Sequence, residues 1–508
     1  MGTLGTSRPR RRRLGRLAWT MLGALAATAC GHQAAARRPN VLLVTLDTTR
    51  PDYLSTYGGP AGATPNFDAL AAEGARFDMA ISASGVTPVS HASILTGRFP
   101  YRHGLRVLRA QGSCVLGADQ ETLATRFRAA GYRTGAALSS FTVSSWFGFQ
   151  RGFEFFDSQE GKMLENGETD RAPWWDMHSL QRRCDATTDA ALAFATTGDE
   201  PFFLWVHYWD PHDRLMVPPD DFLGGPAGEG KDLDREEVYA REVSYVDQEF
   251  GRLLDGLRSA GRYDNLLVAV AADHGEGLAD GAERHGWAKH RMLYQEQIHV
   301  PCFVRVPGAA GGVVVEDVVR TVDLAPTLID YAGVACDPAE FDGRSLRPLI
   351  EGQHDSARVA YADQINGYDE NAGIAERRPD AAFLFGVVDG PWKLIFRPHM
   401  RERSELFRLD DDPGERRNVA AEHPDVVQRL LQDLARRDPW VTAPPAADGN
   451  ADSILLGDAL AGLGNTGSEG EAHEVSWSWT CWDHPEVHQI DRGRCPECGA
   501  LLVPDGNW

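Results

Sequence analysis

The chain has 508 residues, of which 43% are hydrophobic and 24% charged, and carries a formal net charge of −22. That composition is enough to bury a sizeable core, suits two or three domains and excludes disorder as the default state. The strong acidity speaks against nucleic acid as a partner, because a phosphate backbone would be repelled.

The first thirty residues stand apart from the rest. A basic run, Arg8, Arg10, Arg11, Arg12, Arg13 and Arg16, precedes an apolar stretch from Leu17 to Ala29, and small residues lead into Cys30. This is the three-part plan of a secretory signal, with an apolar stretch too short to span a bilayer. Ala27-Thr28-Ala29-Cys30-Gly31 resembles a bacterial lipobox, and the arginine cluster resembles a twin-arginine export signal. The expectation is a lipoprotein-type signal over residues 1–30, with a lipidated Cys30 holding the mature chain to a membrane outside the cytoplasm.

From residue 39 to about 340, apolar runs alternate with helical stretches, which predicts an α/β domain around a largely parallel sheet. Val41 to Leu46 reads as a buried strand ending at Asp47. Glu121 to Ala130 reads as a helix stopped by Gly131, Tyr132 to Leu138 as a strand, and Pro201 to Tyr208 as another. A long helix is expected over Glu236 to Ser259, then a strand from Asn265 to Ala271 leading to Asp273. Three of these four strands run into ligand-type residues. Because open α/β sheets bind ligands at the carboxyl ends of their strands, Asp47, His212 and Asp273 are expected to converge.

Beyond residue 340 the runs shorten. Trp392 to Phe396 and Glu405 to Leu409 read as strands and Pro424 to Arg436 as a helix, which predicts a small α/β subdomain over 341–440. Residues 441–475 are rich in Ala, Gly, Pro and acidic residues and read as a linker. There is no internal repeat. Cys114, Cys184, Cys302 and Cys336 allow one or two disulfides or buried free thiols, and sequence does not choose between them.

Three segments carry the chemistry. Asp47 at a strand end, followed by Thr48-Thr49-Arg50-Pro51-Asp52, is a candidate hard-metal ligand. In Asp273-His274-Gly275-Glu276 an adjacent Asp and His can both turn toward one cation, and the glycine lets the backbone bend. The third segment, Gly85 to Gly104, reads GVTPVSHASILTGRFPYRHG.

The whole order of segments resembles the sulfatase family of the alkaline phosphatase superfamily, from Arg38 to about Asp438. The matching pieces include RPNVLLVTLD, ATPNFDALAAEGARF, the loop at 85–104, GFQRGFEFFD, FFLWVHYWDPH, VAADHGEG, LYQEQIHVPCFVRVPG and ELFRLDDDPGERRNVAAEHP. The resemblance implies an alkaline-phosphatase-like fold, with residues 39–340 as the catalytic domain and one or two metal ions under the nucleophile. Sulfatases read CxPxR before the LTG, and that cysteine becomes formylglycine. Counted back from Leu95-Thr96-Gly97, Thr87 stands where the cysteine would be and His91 where the arginine would be. Thr87 cannot become formylglycine. Pro88 falls one place earlier than the family proline, so Ser84 and Ser90 stay open as alternative attacking hydroxyls. Most sulfatases also begin the site with two aspartates, whereas here Thr48 follows Asp47.

The implied site resembles single-metal, threonine-nucleophile enzymes of the lipoteichoic-acid-synthase kind, with Asp47, Thr48, Thr87, Asp273 and His274 around a divalent cation, Mn²⁺, Ca²⁺, Mg²⁺ or Zn²⁺. His103, His212 and His290 match family positions that touch the anionic group or the leaving oxygen, with Lys289 as an alternative cationic contact. His91 is a catalytic candidate or a structural substitute for the arginine.

At the far end, Cys481, His484, Cys495 and Cys498 form CxxH and CxxC knuckles ten residues apart, a tetrahedral metal signal. Residues 476–508 resemble a small heavy-metal-binding domain, so a zinc-ribbon-like module holding Zn²⁺, or Cu⁺ as second choice, is expected.

The function expected from these readings is an exported, metal-dependent hydrolase of sulfate or phosphate esters, acting on a small-molecule, glycan or lipid ester in the bacterial cell envelope. Two alternatives stand beside it: a phosphodiesterase or phospho-group transferase on envelope lipids or polymers, and an inactive anion- or metal-binding protein. The sequence does not name the substrate, since Lys162 to Ser179 and Met216 to Leu233 carry no recognisable code.

Overall fold

The computed structural model describes residues 38–108, 114–158, 181–212, 234–367 and 373–442, together with residues 1, 2, 5, 218, 219, 222, 369, 479–480, 488–489 and 503–504. Most of the expected signal, including Cys30, most of the linker and of the two specificity loops, and all four knuckle residues lie outside these.

A nine-stranded sheet forms the centre, in the order β4-β3-β5-β1-β6-β8-β2-β7, with β9 also paired to β2. Its parallel half is β4 (Phe155–Asp157), β3 (Arg133–Leu138), β5 (Phe202–Tyr208), β1 (Asn40–Leu46) and β6 (Leu266–Ala272). The other half mixes directions: β8 (Cys302–Arg305) runs antiparallel to β6 and β2 (Ala75–Ile81), β7 (His299–Val300) antiparallel to β2, and β9 (Val313–Arg320) parallel to β2. Every residue of β1, β5 and β6 is buried, as expected for strands covered on both faces. Their apolar runs were visible in sequence for that reason.

Helices α1 (Pro65–Glu73), α2 (Thr87–Thr96), α3 (Leu123–Ala129), α4 (Cys184–Ala195) and α5 (Arg235–Ser259) accompany the sheet, followed by α6 (Leu278–His285), α7 (Gln295–Ile298) and α8 (Leu324–Ala332). The 25-residue α5 is capped by Asp234, whose carboxylate accepts the Glu237 N–H at 2.8 Å.

After residue 341 the chain forms a four-stranded antiparallel sheet, β10 (Ala360–Ile365), β11 (Phe383–Asp389), β12 (Trp392–Phe396) and β13 (Glu405–Arg408), with α9 (Pro424–Arg437) against it through Leu430 and Leu434. Two of these four strands, β12 and β13, are evident in the sequence. β10 is not, because AYADQI carries buried polar residues: Asp363 is paired with Arg106, so polarity here marks an internal ion pair instead of a solvent face. Three two-residue strands, Trp479–Thr480, His488–Gln489 and Val503–Pro504, form a further small sheet. No disulfide joins Cys114, Cys184, Cys302 or Cys336. Among the described residues, no helix is long and apolar enough to cross a membrane.

Candidate active site

The site starts from sheet register. In the pairing of β1 with β6, Leu46 lies opposite Ala272, so the next residues, Asp47 and Asp273, leave adjacent strands side by side. Backbone bonds extend the ladder one step further, Asp273 N–H to Leu46 O at 3.2 Å and Asp47 N–H to Tyr208 O at 2.8 Å. In β5, His207 lies opposite Thr45 and therefore shares a face with Asp47. Its Nε2 donates to Asp47 Oδ2 at 3.0 Å. His207 was not picked from the sequence; the signal available was its place on a strand paired with the one ending at Asp47.

After Asp47 the chain turns sharply. Thr48 has φ +48°, a left-handed conformation that costs a β-branched residue on the order of 1–3 kcal/mol and clusters at functional sites. The turn aims the Thr48 N–H at Asp273 Oδ1, 3.1 Å away, while Tyr239 Oη donates to the Thr48 carbonyl at 2.7 Å. After Asp273, Gly275 is required by space: a Cβ there would lie 2.2 Å from the Glu296 carbonyl oxygen. Its N–H donates to Gln297 O at 2.8 Å, which seats the loop.

Thr87 is the first residue of α2, where the orphan N–H groups and the positive end of the helix dipole favour an anion. Its Oγ1 lies 3.2 Å from His274 Nε2. His274 Nδ1 donates to Gly275 O at 2.9 Å, which fixes the tautomer and leaves Nε2 as a lone pair facing the threonine. By contrast, Ser84 Oγ donates to Asp363 O at 2.9 Å and Ser90 Oγ to Thr87 O at 3.1 Å. Of the three candidate hydroxyls, only that of Thr87 faces the ligand cluster.

Asp47, Asp273 and His274 offer ligand atoms that all lie within 4.8 Å of one another, fully buried. Asp47 Oδ1, Asp273 Oδ2 and Thr48 Oγ1 have no hydrogen-bond partner despite burial. Burial and the neighbouring Asp273 push the Asp47 carboxyl well up, and burial does the same to Asp273, although the Thr87 hydroxyl pulls both back. Two unsatisfied carboxylate oxygens and a free imidazole lone pair at one point fit a divalent cation, which would neutralise the pair and take up the orphaned atoms.

The remaining candidates sort by contact. His91 is fully buried one turn after Thr87, with Nδ1 2.8 Å from Thr87 O and 3.5 Å from Asp273 Oδ2. Burial pushes it down to about 3, so it stands neutral in the place of a fixed arginine charge. His212 stacks on Trp209 at 3.8 Å between ring centres and lies 5.1 Å from the His290 ring, which is itself 5.1 Å from His274. His290 Nδ1 is 3.8 Å from Glu276 Oε2, and Lys289 acts on Glu276, His212 and His290 as a nearby positive charge. Burial raises the Glu276 carboxyl, but Arg235 at 3.0 Å, with His290 and Lys289, drives it far below the usual range, so Glu276 is a fixed anion behind His290. In the sequence Glu276 stands out only as part of the DHGE run.

His103 departs from expectation. Its Nε2 meets Ser93 Oγ at 2.9 Å and its Nδ1 accepts the Leu105 N–H at 3.2 Å, so both ring nitrogens are spent within its own segment and none of its described contacts is with the cluster. Six residues beyond Thr87, Ser93 points to a different side of α2 from His91.

A sheet whose two central strands deliver carboxylates to a hydroxyl at a helix N-terminus now has relatives to be set beside. The chain matches the sulfatase family over residues 39–334, and the N-sulphoglucosamine sulphohydrolase C-terminal family over 283–438. The chain belongs to the sulfatase family. It is 25% identical to an N-acetylglucosamine-6-O-sulfatase of Bacteroides thetaiotaomicron, across 81% of this chain and 88% of that one. It is 24% identical to the multifunctional alkaline phosphatase superfamily protein PehA of Trinickia caryophylli, across 79% and 94%. Among solved structures it resembles a phosphonate monoester hydrolase of Silicibacter pomeroyi, with TM-score 0.61, 24% identity and coverage of 78% and 94%, which shows a shared fold. The chain is thus a sulfatase-family ester hydrolase with a mixed α/β fold, and the family generally works with a divalent cation at its active site.

Proposed function

We propose that this sulfatase-family protein is an exported, metal-dependent hydrolase of sulfate or phosphate esters in which Thr87 is the nucleophile in place of formylglycine. The observation that carries the reading is the Thr87 hydroxyl at a helix N-terminus, 3.2 Å from the His274 lone pair and against two buried carboxylates.

Asp47, Asp273 and His274 Nε2 would hold the cation, with Thr48 Oγ1 and Thr87 Oγ1 beside it. When bound, it lowers the hydroxyl pKa and neutralises charge developing on the ester. His207 anchors Asp47, and His91 fixes the first turn of α2 through the Thr87 carbonyl. Thr87, its hydroxyl proton released to solvent, attacks phosphorus or sulfur through Oγ as the bond to the leaving oxygen breaks. His290 or His212 returns a proton to that oxygen, and Glu276 favours the protonated form of His290. Water then attacks the Thr87 ester at the same centre, giving a proton to the now neutral histidine, and the acid leaves as Thr87 Oγ departs and is reprotonated.

Threonine lacks the second hydroxyl of a formylglycine hydrate, so it cannot expel the group by cleaving its own C–O bond. Release must occur at phosphorus or sulfur, and this favours a phosphorus ester, with phosphodiester or phospho-transfer chemistry as the narrower form. The names of relatives span both ester types, sulfatases and a phosphonate monoester hydrolase. The reading extends to a lipoprotein-type leader ending at Cys30, glycan or lipid ester substrates outside the cytoplasm, and a Zn²⁺- or Cu⁺-binding module at Cys481, His484, Cys495 and Cys498.

The test is full-length protein with Mn²⁺, Ca²⁺ or Zn²⁺, assayed on an aryl sulfate, a phosphate monoester, a phosphodiester and a phosphonate ester. Turnover on at least one is expected, with Thr87→Ala lowering it on the order of 10³-fold or more. Full turnover by Thr87→Ala would refute the nucleophile, and no turnover on any ester would favour a binding protein.

A further inference from the structure

A second cluster with the same donor chemistry lies apart from the first. His285 closes α6, Glu296 lies in α7, and Glu415 follows β13 in the loop before α9. Their ligand atoms also lie within 4.8 Å of one another. His285 Nε2 is 3.6 Å from Glu296 Oε2, too far for a hydrogen bond, and the imidazole is held flat against Tyr294 at 3.6 Å between ring centres.

The polar accounting is incomplete here in the same way as around Asp47 and Asp273. Both Glu296 oxygens and His285 Nε2 have no hydrogen-bond partner, and the Glu296 side chain is 1% exposed. Two cations stand nearby. Lys393 Nζ lies 2.7 Å from Glu415 Oε1 and donates to Gln295 Oε1 at 3.1 Å, while Gln295 N–H donates to Glu415 Oε2 at 2.6 Å. Lys393 therefore answers Glu415. Arg284 approaches Glu296 to 3.5 Å but spends its hydrogen bonds on Asp280 and the Gly414 carbonyl. Glu296 is left as a buried carboxylate with neither oxygen bonded, and it faces an imidazole nitrogen and a second carboxylate oxygen. Such a group costs several kcal/mol unless a ligand completes it. An approach is provided, since Glu296 also lines a cavity of about 540 Å³ shared with Arg50, Arg284, Gln295 and His299.

We propose that His285, Glu296 and Glu415 form a second divalent-cation site, distinct from the Asp47, Asp273 and His274 cluster. One nitrogen and two carboxylate ligands suit Mn²⁺ or Zn²⁺. The site ties the catalytic portion to the segment after β13. Its two ligands His285 and Glu296 also bracket the stretch that carries Lys289 and His290, so an ion here clamps both ends of that stretch.

The test measures Mn²⁺ stoichiometry by equilibrium dialysis on the full chain, without using activity. The background carries Asp47→Asn and Asp273→Asn to remove the first cluster, and Cys481→Ser and Cys498→Ser to remove the knuckles. This background is expected to bind one Mn²⁺ per chain, and adding Glu296→Gln should weaken that binding at least tenfold. His285→Gln, at the less buried end of the cluster, should do the same and serves if Glu296→Gln fails to fold. A background that binds no Mn²⁺ overturns the proposal, as does Mn²⁺ binding that both variants leave unchanged.

Discussion

Each of the two clusters consists of two carboxylates and an imidazole, and they differ in what surrounds them. Around Asp47, Asp273 and His274 the neighbours are hydroxyls, backbone N–H groups and the neutral imidazoles of His91 and His207, with no lysine or arginine paired to either carboxylate among the described residues. Around His285, Glu296 and Glu415, Lys393 sits in direct contact with one acid and Arg284 near the other. The first cluster thus depends on an external cation for all its charge compensation, while the second has half of it built in. A reactive site gains from that dependence, because an ion that meets no competing protein cation keeps its field for the substrate.

Removing an acid from each cluster should separate them by sign. Asp273→Asn is expected to cut turnover on the order of 10³-fold while making the protein more stable in EDTA, by about 1–3 kcal/mol, since it relieves two buried carboxylates that repel. Chemical denaturation with the chelator present measures this, and a loss of stability would mean the pair is compensated from within. Glu415→Gln under the same conditions should destabilise by about 3 kcal/mol, because it strands the fully buried Lys393 ammonium. An unchanged midpoint would show that Lys393 is neutral without its partner.

The contrast also accounts for what could be read in the sequence. Asp47 and Asp273 were legible because both end apolar runs, and parallel strands bring such ends together. Thr87 stands out in sequence by its spacing to Leu95-Thr96-Gly97, whereas what sets it apart from Ser84 and Ser90, whose hydroxyls donate to backbone carbonyls, is visible only in the structure. His207 was hidden inside an all-buried strand, where sequence gives no cue to which neighbour an imidazole meets. His285, Glu296 and Glu415 were out of reach. They come from a helix end, a short helix and a loop more than a hundred residues on, and each sits in a run of ordinary surface appearance. Polar residues in β10 misled for a related reason, since burial with an ion pair looks the same in sequence as exposure.

Glu276 tests whether the fixed anion behind His290 matters to the chemistry. Its charge favours the protonated imidazole, against burial, which opposes it. Glu276→Gln should therefore lower the His290 pKa, moving the alkaline limb of the kcat profile to lower pH and reducing the maximum about 10- to 100-fold. A profile that loses height without moving would make Glu276 a packing residue for the loop and leave the proton to His212.

The smallest effect is expected at His103, a buried imidazole with no carboxylate beside it, unlike the imidazoles of both clusters. Burial, with Arg106 and Arg98 adding repulsion, pushes it down to about 3 from its ordinary 6.5. The folded state thus holds His103 neutral, whereas the unfolded chain takes up a proton below about pH 6.5. Stability from this group is fully present above that pH and falls by about 1.4 kcal/mol per unit as the pH drops toward 3. Between pH 6.5 and 5.5 His103→Gln should accordingly lose about 1 kcal/mol less stability than the parent, as read from denaturant midpoints at the two pH values. Glutamine can still offer a donor to Ser93 and an acceptor to the Leu105 N–H, so the two proteins should differ little at pH 8. An identical acid slope in both would mean that His103 titrates normally, and that its ring is exposed to solvent often enough to reopen a role near the substrate.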